Sequence, residues 1–402
     1  MRAYIIETDK KIEPFNDHPK DCLIVNRKLS EIQKDILNSL EIEWEIVPSD
    51  ESIDDNDYIV FSDNVLFTRE ILQQFIEESR ALKKSTVCSL KPGIVTNRSM
   101  INTQDIKKYK DRIEYGLHYI NSNIPKESAT PVIFDPDQLC ESIPMPEHIE
   151  KTTKFFLPVS DIFIIQLDHW TNILSANMCM LLSAGARLKK LPRMKLLLLA
   201  LKARSGNPWK VLRQINKIGN DCDIHPTAYI EGSVIGRNVT IGAGSVIRQS
   251  IIGDNTFIGN NATIEASVTG EWCNIRNGAI LQFTVMYSGS FTMARLISVS
   301  LCGRNTFIAD GSVLTDFRLD GKSIRVLKNN SLIDTQNTFI GSCLGHNVYI
   351  GSGCIVSPGR SVPNGYRICV DGSRTINKIP DNKPNLNYRI IDMINSGDKE
   401  VF

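Results

Sequence analysis

Glycine is nearly missing from the first half of this 402-residue chain. The first is Gly93, only Gly116, Gly185 and Gly206 join it before position 210, and the other 21 of 25 lie from Gly219 onward. Backbone N–H groups need glycine to close around phosphates, so the first strand cannot be followed by a glycine cradle. Charge of one sign is also missing. The net charge of +1 gives no global field for nucleic acid or for a membrane. The longest strongly apolar run, Leu196 to Leu201, is far too short to span a bilayer. After Met1-Arg2-Ala3-Tyr4-Ile5-Ile6-Glu7 come Asp9, Lys10 and Lys11, which is not a secretory signal. None of the ten cysteines forms a Cys-x-x-Cys pair, so zinc is not expected, and Cys343 and Cys354 read as core thiols of a reducing cytoplasm. A cytoplasmic protein with no nucleic-acid partner and no integral membrane contact is the expectation.

What is present is a repeat. From Ile224 to Ile368 an aliphatic residue recurs every six positions, often followed by Gly, Asn or Asp. Ile235-Gly236, Ile241-Gly242, Ile252-Gly253, Ile258-Gly259 and Ile264 mark one phase; Leu344, Ile350, Val356, Val362 and Ile368 mark another. A six-residue period indicates a β-helix in which stacked aliphatic residues bury one another. Gly and Asn tolerate the positive φ that its corners demand.

The first part reads as alternating strands and helices, hence a parallel or mixed sheet covered by helices. Tyr4-Ile5-Ile6, Cys22 to Val25, Glu43 to Val47 and Asp57 to Phe61 read as strands. Leu29 to Leu40, a segment capped near Thr68, and Asp168 to Leu182 have helical spacing. Pro144 and Pro146 suggest a loop. Residues 187 to 217 hold ten Lys or Arg and no acid, around Leu191, Met194, Leu198 and Leu201. Either this surface touches anionic lipid, or a linker helix packs its leucines on a domain and leaves a solvated basic face. Pro192, Gly206 and Pro208 break the segment and favour the second reading. The expected divisions are 1–182 (α/β domain), 183–219 (basic helical linker), 220–380 (β-helix) and 381–402 (tail).

Several stretches resemble the bifunctional N-acetylglucosamine-1-phosphate uridyltransferase/glucosamine-1-phosphate acetyltransferases. Pro14 to Asn26, with Pro19-Lys20 inside it, resembles that family's run into a buried strand. Val60-Phe61-Ser62-Asp63 looks like the strand end that helps to hold the catalytic magnesium, and Trp170 to Asn177 looks like the Trp-Asp-x-Leu-x-Ala-Asn helix before such solenoids. The resemblance implies an α/β nucleotidyltransferase-like domain followed by a left-handed parallel β-helix that trimerises. The family's Gly-x-Gly-Thr-Arg loop is replaced by Glu7-Thr8-Asp9-Lys10-Lys11, so the domain reads as degenerate, with Lys20 and Asp63 the surviving nucleotide-site residues. Magnesium is expected only if that domain is active.

In the solenoid, Gly345-His346-Asn347 resembles the Ile-(Ala/Gly)-His-(Asn/Asp) stretch of hexapeptide acyltransferases acting on nucleotide sugars, where the imidazole is the general base. A corner His with no chemistry is the competing reading, and a carboxylate such as Asp316 or Asp334 would have to fix the second nitrogen. His225 resembles a residue at the usual start of such helices and reads as structural. Arg276 and the stretch carrying Asp316, Asp320 and Lys322 resemble acceptor-binding segments, while Arg360, Arg367, Arg374 and Lys378 could meet coenzyme A phosphates. The family's Gly-His-Leu is replaced by Met293-Ala294-Arg295-Leu296. Lys322 to Asp334 reads as an ejected hairpin. The implied activity is acyl transfer, with acetyl-coenzyme A as the expected donor, to a sugar phosphate or nucleotide sugar, on a homotrimer. The rivals are an atypical nucleotidyltransferase and a non-catalytic scaffold or regulatory subunit.

Overall fold

The computed structural model describes residues 1–49, 53, 55–121, 129–150 and 153–371. Arg374, Lys378 and the tail 381–402 lie outside the described residues.

The first unit is a mixed sheet. Its strands run in the order Thr130–Phe134, Thr86–Leu90, Ile113–Asn121, Asp57–Ser62, Arg2–Ile6 and Glu43–Val47. Arg2–Ile6 is parallel to both neighbours, whereas Ile113–Asn121 is antiparallel to both of its own. Helices α1 (Leu29–Ser39) and α2 (Arg69–Leu82) cover it. The cap expected at Thr68 is present, with its hydroxyl accepting from the Ile71 N–H at 3.3 Å. The expected strand over Cys22 to Val25 does not enter this sheet. Leu23–Ile24 pairs only with Arg27–Lys28, because the chain there has left the sheet to run against the solenoid. The region around Pro144 is not all loop, since Glu141–Pro144 pairs with Lys154–Leu157. After α3 (Ile94–Arg98), helix α4 (Trp170–Lys189) starts two residues later than expected and runs longer. Two further helices, α5 (Arg193–Ala203) and α6 (Pro208–Leu212), lead to the solenoid.

The solenoid is a left-handed parallel β-helix built of three sheets, with strands joining in order from first face to second to third. The first face runs from Lys217–Ile218 to Ser361–Val362, the second from Asp223–Ile224 to Arg367–Ile368, and the third from Tyr229–Glu231 to Ile355–Val356. Before the hairpin, equivalent residues are typically 17 apart, as between Arg237 and Asp254; after it they are 18 apart, as between His346 and Asn364. The missing residue belongs to the edge between third and first faces. There Gln249, Ala266, Phe283 and Val299 hold φ near 46° without the help of Gly or Asn, which is why the hexad pattern lapses at that edge. The other corners use Asn238, Asn255, Asn305, Gly244, Gly278 and Gly311 at positive φ, as the repeat predicts.

In each strand one residue points into the helix and its neighbour points out. On the first face the outward residues Ile251, Val268, Val285, Leu301 and Cys343 are apolar and join a core shared with Ile24, Leu29 and Trp170 of the first unit. Each such side chain contributes roughly 1.5–3 kcal/mol when fully buried. The two units therefore share one hydrophobic core instead of hanging on a linker.

Candidate functional site

Two polar clusters lie where the first unit meets the solenoid. The first sits at the carboxyl ends of the strands Arg2–Ile6 and Asp57–Ser62, the place where open α/β sheets bind ligands. Asp63 follows the second of these strands. Its Oδ1 accepts from the Thr8 hydroxyl at 2.7 Å, while its Oδ2 is buried without a partner. Burial pushes the Asp63 carboxyl up despite those bonds. Lys20 donates to Glu7 Oε1 at 2.6 Å, so the lysine expected at a nucleotide site is turned to a carboxylate.

Beside it lies Asp168, whose side chain is 1% exposed. Its Oδ1 accepts from Lys10 Nζ and Asn64 Nδ2, both at 2.9 Å, and its Oδ2 accepts from Gln166 Nε2 at 2.9 Å and the Asp105 N–H at 2.8 Å. That uses the lone-pair sites of the carboxylate. Lys10 also donates to Asp105 Oδ2 at 3.1 Å, and Lys328 donates to Asp105 Oδ1 at 2.6 Å. Burial raises the Asp105 carboxyl, but Lys328 and Lys10 outweigh it and hold it below the usual range.

Magnesium is implied by the family resemblance, and these residues do not fit it. Magnesium is held by one or two carboxylates together with substrate phosphates. Asp63 offers one oxygen, Asp168 has none left, and the Lys10 ammonium stands between Asp168 and Asp105. Among the described residues no group of three His, Cys, Asp or Glu could hold a metal ion.

The second cluster surrounds His346, on the edge between first and second faces. The residue is 8% exposed. Its Nδ1 accepts from the Arg304 N–H at 2.9 Å, so its proton is on Nε2, which donates to Asp17 Oδ2 at 3.1 Å. Arg304 Nη2 donates to Asp17 Oδ1 and Oδ2 at 2.8 and 2.6 Å. Phe15 lies across the ring with centroids 5.0 Å apart. Burial raises the Asp17 carboxyl, but the hydrogen bond from His346 and the charge of Arg304 hold it low. The carboxylate facing the imidazole is thus Asp17 of the first unit. Asp316 instead accepts from the Ser298 hydroxyl, and Asp334 from Ser323.

The contact at Nδ1 is one rung of a ladder. One coil apart along the same edge, Asp254 Oδ1 accepts from the Arg237 N–H at 2.8 Å, and Asn364 Oδ1 from the His346 N–H at 2.7 Å. Asn260 and Asn277 do the same on the next edge. His346 therefore stands where the fold asks for any short-range acceptor.

The other expected residues do not meet in one chain. His346 follows a first-face strand, exposed Arg276 follows a second-face strand, and Asp316, Asp320 and Lys322 follow a third-face strand, so they occupy three different edges. Asp320 pairs with Arg318, Arg360 reaches the Arg325 carbonyl, and Arg367 lies over the Tyr349 ring. His225 makes a local turn with Thr227. Asp17, Arg304, Asp105, Asp168 and Lys328 carry the two clusters and were not expected from the sequence. Only Asp17 lies in a stretch that the resemblance had marked.

Residues 211–290 match the family model of the GMPPB C-terminal domain. A search of the curated proteins finds no match. Among solved structures this chain is similar to a mutant perosamine N-acetyltransferase from Caulobacter crescentus, in complex with CoA and GDP-perosamine. That similarity has 14% identity and a TM-score of 0.18, over 38% of this chain and 54% of that one. A hexapeptide transferase family protein from Anaplasma phagocytophilum matches at 15% identity and a TM-score of 0.16, over 38% and 77%. The acetyltransferase domain of PglB from Neisseria gonorrhoeae matches at 17% and 0.17, over 44% and 62%. The chain spans about half the length (54%) of the first of these. It joins a mixed α/β sheet to a parallel β-helix of hexapeptide repeats.

Proposed function

We propose that this chain is a non-catalytic scaffold or regulatory subunit of sugar-nucleotide metabolism, built on the plan of the bifunctional nucleotidyltransferase/acyltransferases. The observation that carries this reading is the Lys10 ammonium between Asp105 and Asp168, in the sheet-end site where nucleotidyl transfer would need a divalent cation. With no glycine cradle before Gly93, the same site has no means of wrapping a triphosphate. Pyrophosphate release from nucleoside triphosphates and sugar-1-phosphates, with magnesium present, tests it. No turnover is expected. Magnesium-dependent turnover that Asp63→Ala abolishes would establish the nucleotidyltransferase reading, with Lys20 and Asp63 at its centre, and overturn ours.

A second reading is favoured by the Asp17–His346 pair: acyl transfer from a coenzyme A thioester, acetyl-coenzyme A in the first instance, to a sugar phosphate or nucleotide sugar. A carboxylate that fixes an imidazole tautomer is what a general base requires. In this reading Nδ1 takes the acceptor's proton once the Arg304 N–H is released. Arg276, Asp316, Asp320 and Lys322 would meet the acceptor, and Arg360 and Arg367 the coenzyme, across a homotrimer whose subunits bring different edges together. His346→Asn is the discriminating variant, because Asn keeps the ladder bond but cannot act as a base. Acyl-coenzyme A consumption that falls ~100-fold or more in this variant supports acyl transfer. No consumption by the wild type, across a panel of sugar acceptors, leaves the scaffold reading standing.

A further inference from the structure

Helix α5 presents its leucines to solvent. Met194, Leu197, Leu198 and Leu201 are 68%, 55%, 59% and 63% exposed. Their spacing of i, i+3, i+4 and i+7 places them on one face of the helix. At about 100° per residue, Lys195 and Lys202 fall along one margin of that stripe, and Arg193 and Arg204 along the other. The opposite side turns Leu196 and Ala200 towards a cleft of about 860 Å³ against α4 and the solenoid. The helix therefore has three strips: one facing the cleft, one apolar and outward, and a cationic border on both sides of the outward one.

The linker helix expected to pack its Leu face on a domain is thus the wrong way round. The charges show the same asymmetry. In α4, Lys189 and Lys190 are neutralised by Glu141 and Asp161. Arg193, Lys195, Lys202 and Arg204 have no acidic partner among the described residues, and no acid occurs between residues 187 and 217.

We propose that α5 is a docking surface for an anionic lipid bilayer, on which the chain lies peripherally. The apolar stripe enters the boundary between headgroups and acyl chains, while the four flanking cations extend their long stems to phosphate at the same depth. Charge complementarity selects this occupant over a second copy of the chain. A two-fold contact through α5 would bring two cationic borders together, with no acid in the segment to answer them. No helix among the described residues is long and apolar enough to cross a membrane, so the contact is at the surface.

Flotation of the full chain with vesicles tests this. The chain should bind phosphatidylglycerol/phosphatidylcholine vesicles, fail to bind pure phosphatidylcholine, and release as salt rises. Lys195→Glu/Lys202→Glu and Leu197→Asp/Leu201→Asp should each weaken partitioning by about tenfold or more. All four side chains are exposed, so thermal melts should remain unchanged and report on folding separately. Equal binding to neutral and anionic vesicles, or wild-type binding by both variants, would overturn the proposal. So would a leucine variant that converts an oligomer to monomers in the absence of lipid, because the stripe would then be a subunit contact.

Discussion

At the scale of single residues, chemistry and architecture compete for the same atoms, and hydrogen-bond accounting decides between them. His346 has a carboxylate on one nitrogen, as a base would, yet its other nitrogen holds the Arg304 N–H in a ladder that Asp254 and Asn364 also use. His346→Ala should leave a buried N–H unsatisfied and cost about 1–3 kcal/mol in urea unfolding. His346→Asn should recover most of that loss. Equal stability of the alanine variant and the wild type would show that the rung is dispensable. Asp63 gives an expectation of opposite sign. Its folded pKa is raised by burial, so its ionisation at neutral pH works against folding. Asp63→Asn should therefore melt no lower than the wild type at pH 7, and above it if the orphaned oxygen is the whole cost. A clear fall in melting temperature would mean that the charge has a partner role.

At the scale of elements, the hairpin Arg325–Lys328 and Ser331–Asp334 has a definite task. Its turn, Asn329-Asn330, takes φ of 50° and 60°, the left-handed pair that a two-residue hairpin prefers. Its alternation and turn residues made it legible from the sequence. Where it points was not legible. Lys328 reaches the Thr103 carbonyl and Asp105, and the Leu327 carbonyl bonds His169 Nε2, so the ejected loop clasps the first unit. Hydrogen bonds to charged groups are worth roughly 1.5–3 kcal/mol. Lys328→Ala should destabilise the chain by about that amount and raise proteolytic nicking between residues 91 and 150. A variant as stable and as resistant as the wild type would reduce the hairpin to decoration.

At the scale of the whole molecule, two ion clusters and one apolar face join the units. Asp17 and Asp105 both have folded pKa values held below the ordinary 3.8. A depressed carboxylate contributes stability that is complete above its unfolded value and is lost as pH falls through the folded one. Stability should therefore fall steeply as pH drops below about 3.8. Asp17→Asn should flatten that dependence; identical acid profiles for the two proteins would place the sensitivity elsewhere. Assembly belongs to this scale too. The second face carries Phe257, Phe291, Phe307 and Tyr349 outward, with Phe291, Phe307 and Tyr349 stacked at 5.4 and 5.7 Å. We expect a trimer through the solenoid, and light scattering that finds a monomer at micromolar concentration would dismiss it.

The solenoid could be read from the chain because its information is local and repeated. Ile235, Ile241, Ile252 and Ile258 each need only the coil above and below, and the asparagines and glycines between them declare the corners. The same is true of α1, α2 and the loop after the first strand, where the want of glycine is itself the signal. The corner at Gln249, Ala266 and Phe283 was silent, because stacking holds those residues at positive φ against their own preference. The partner of His346, the hand of Lys10 between two carboxylates and the outward face of α5 were decided only in three dimensions. Asp17 and His346 are 329 positions apart, and Lys10 and Asp168 are 158 apart. No periodicity spans such separations; which carboxylate meets which cation depends on how one face of the solenoid seats against the sheet. The amphipathic pattern of α5 was plain in the sequence, but which of its sides would face water was set by how the helix sits across the cleft from α4 and the solenoid, with Leu196 and Ala200 towards it and Met194, Leu197, Leu198 and Leu201 away from it.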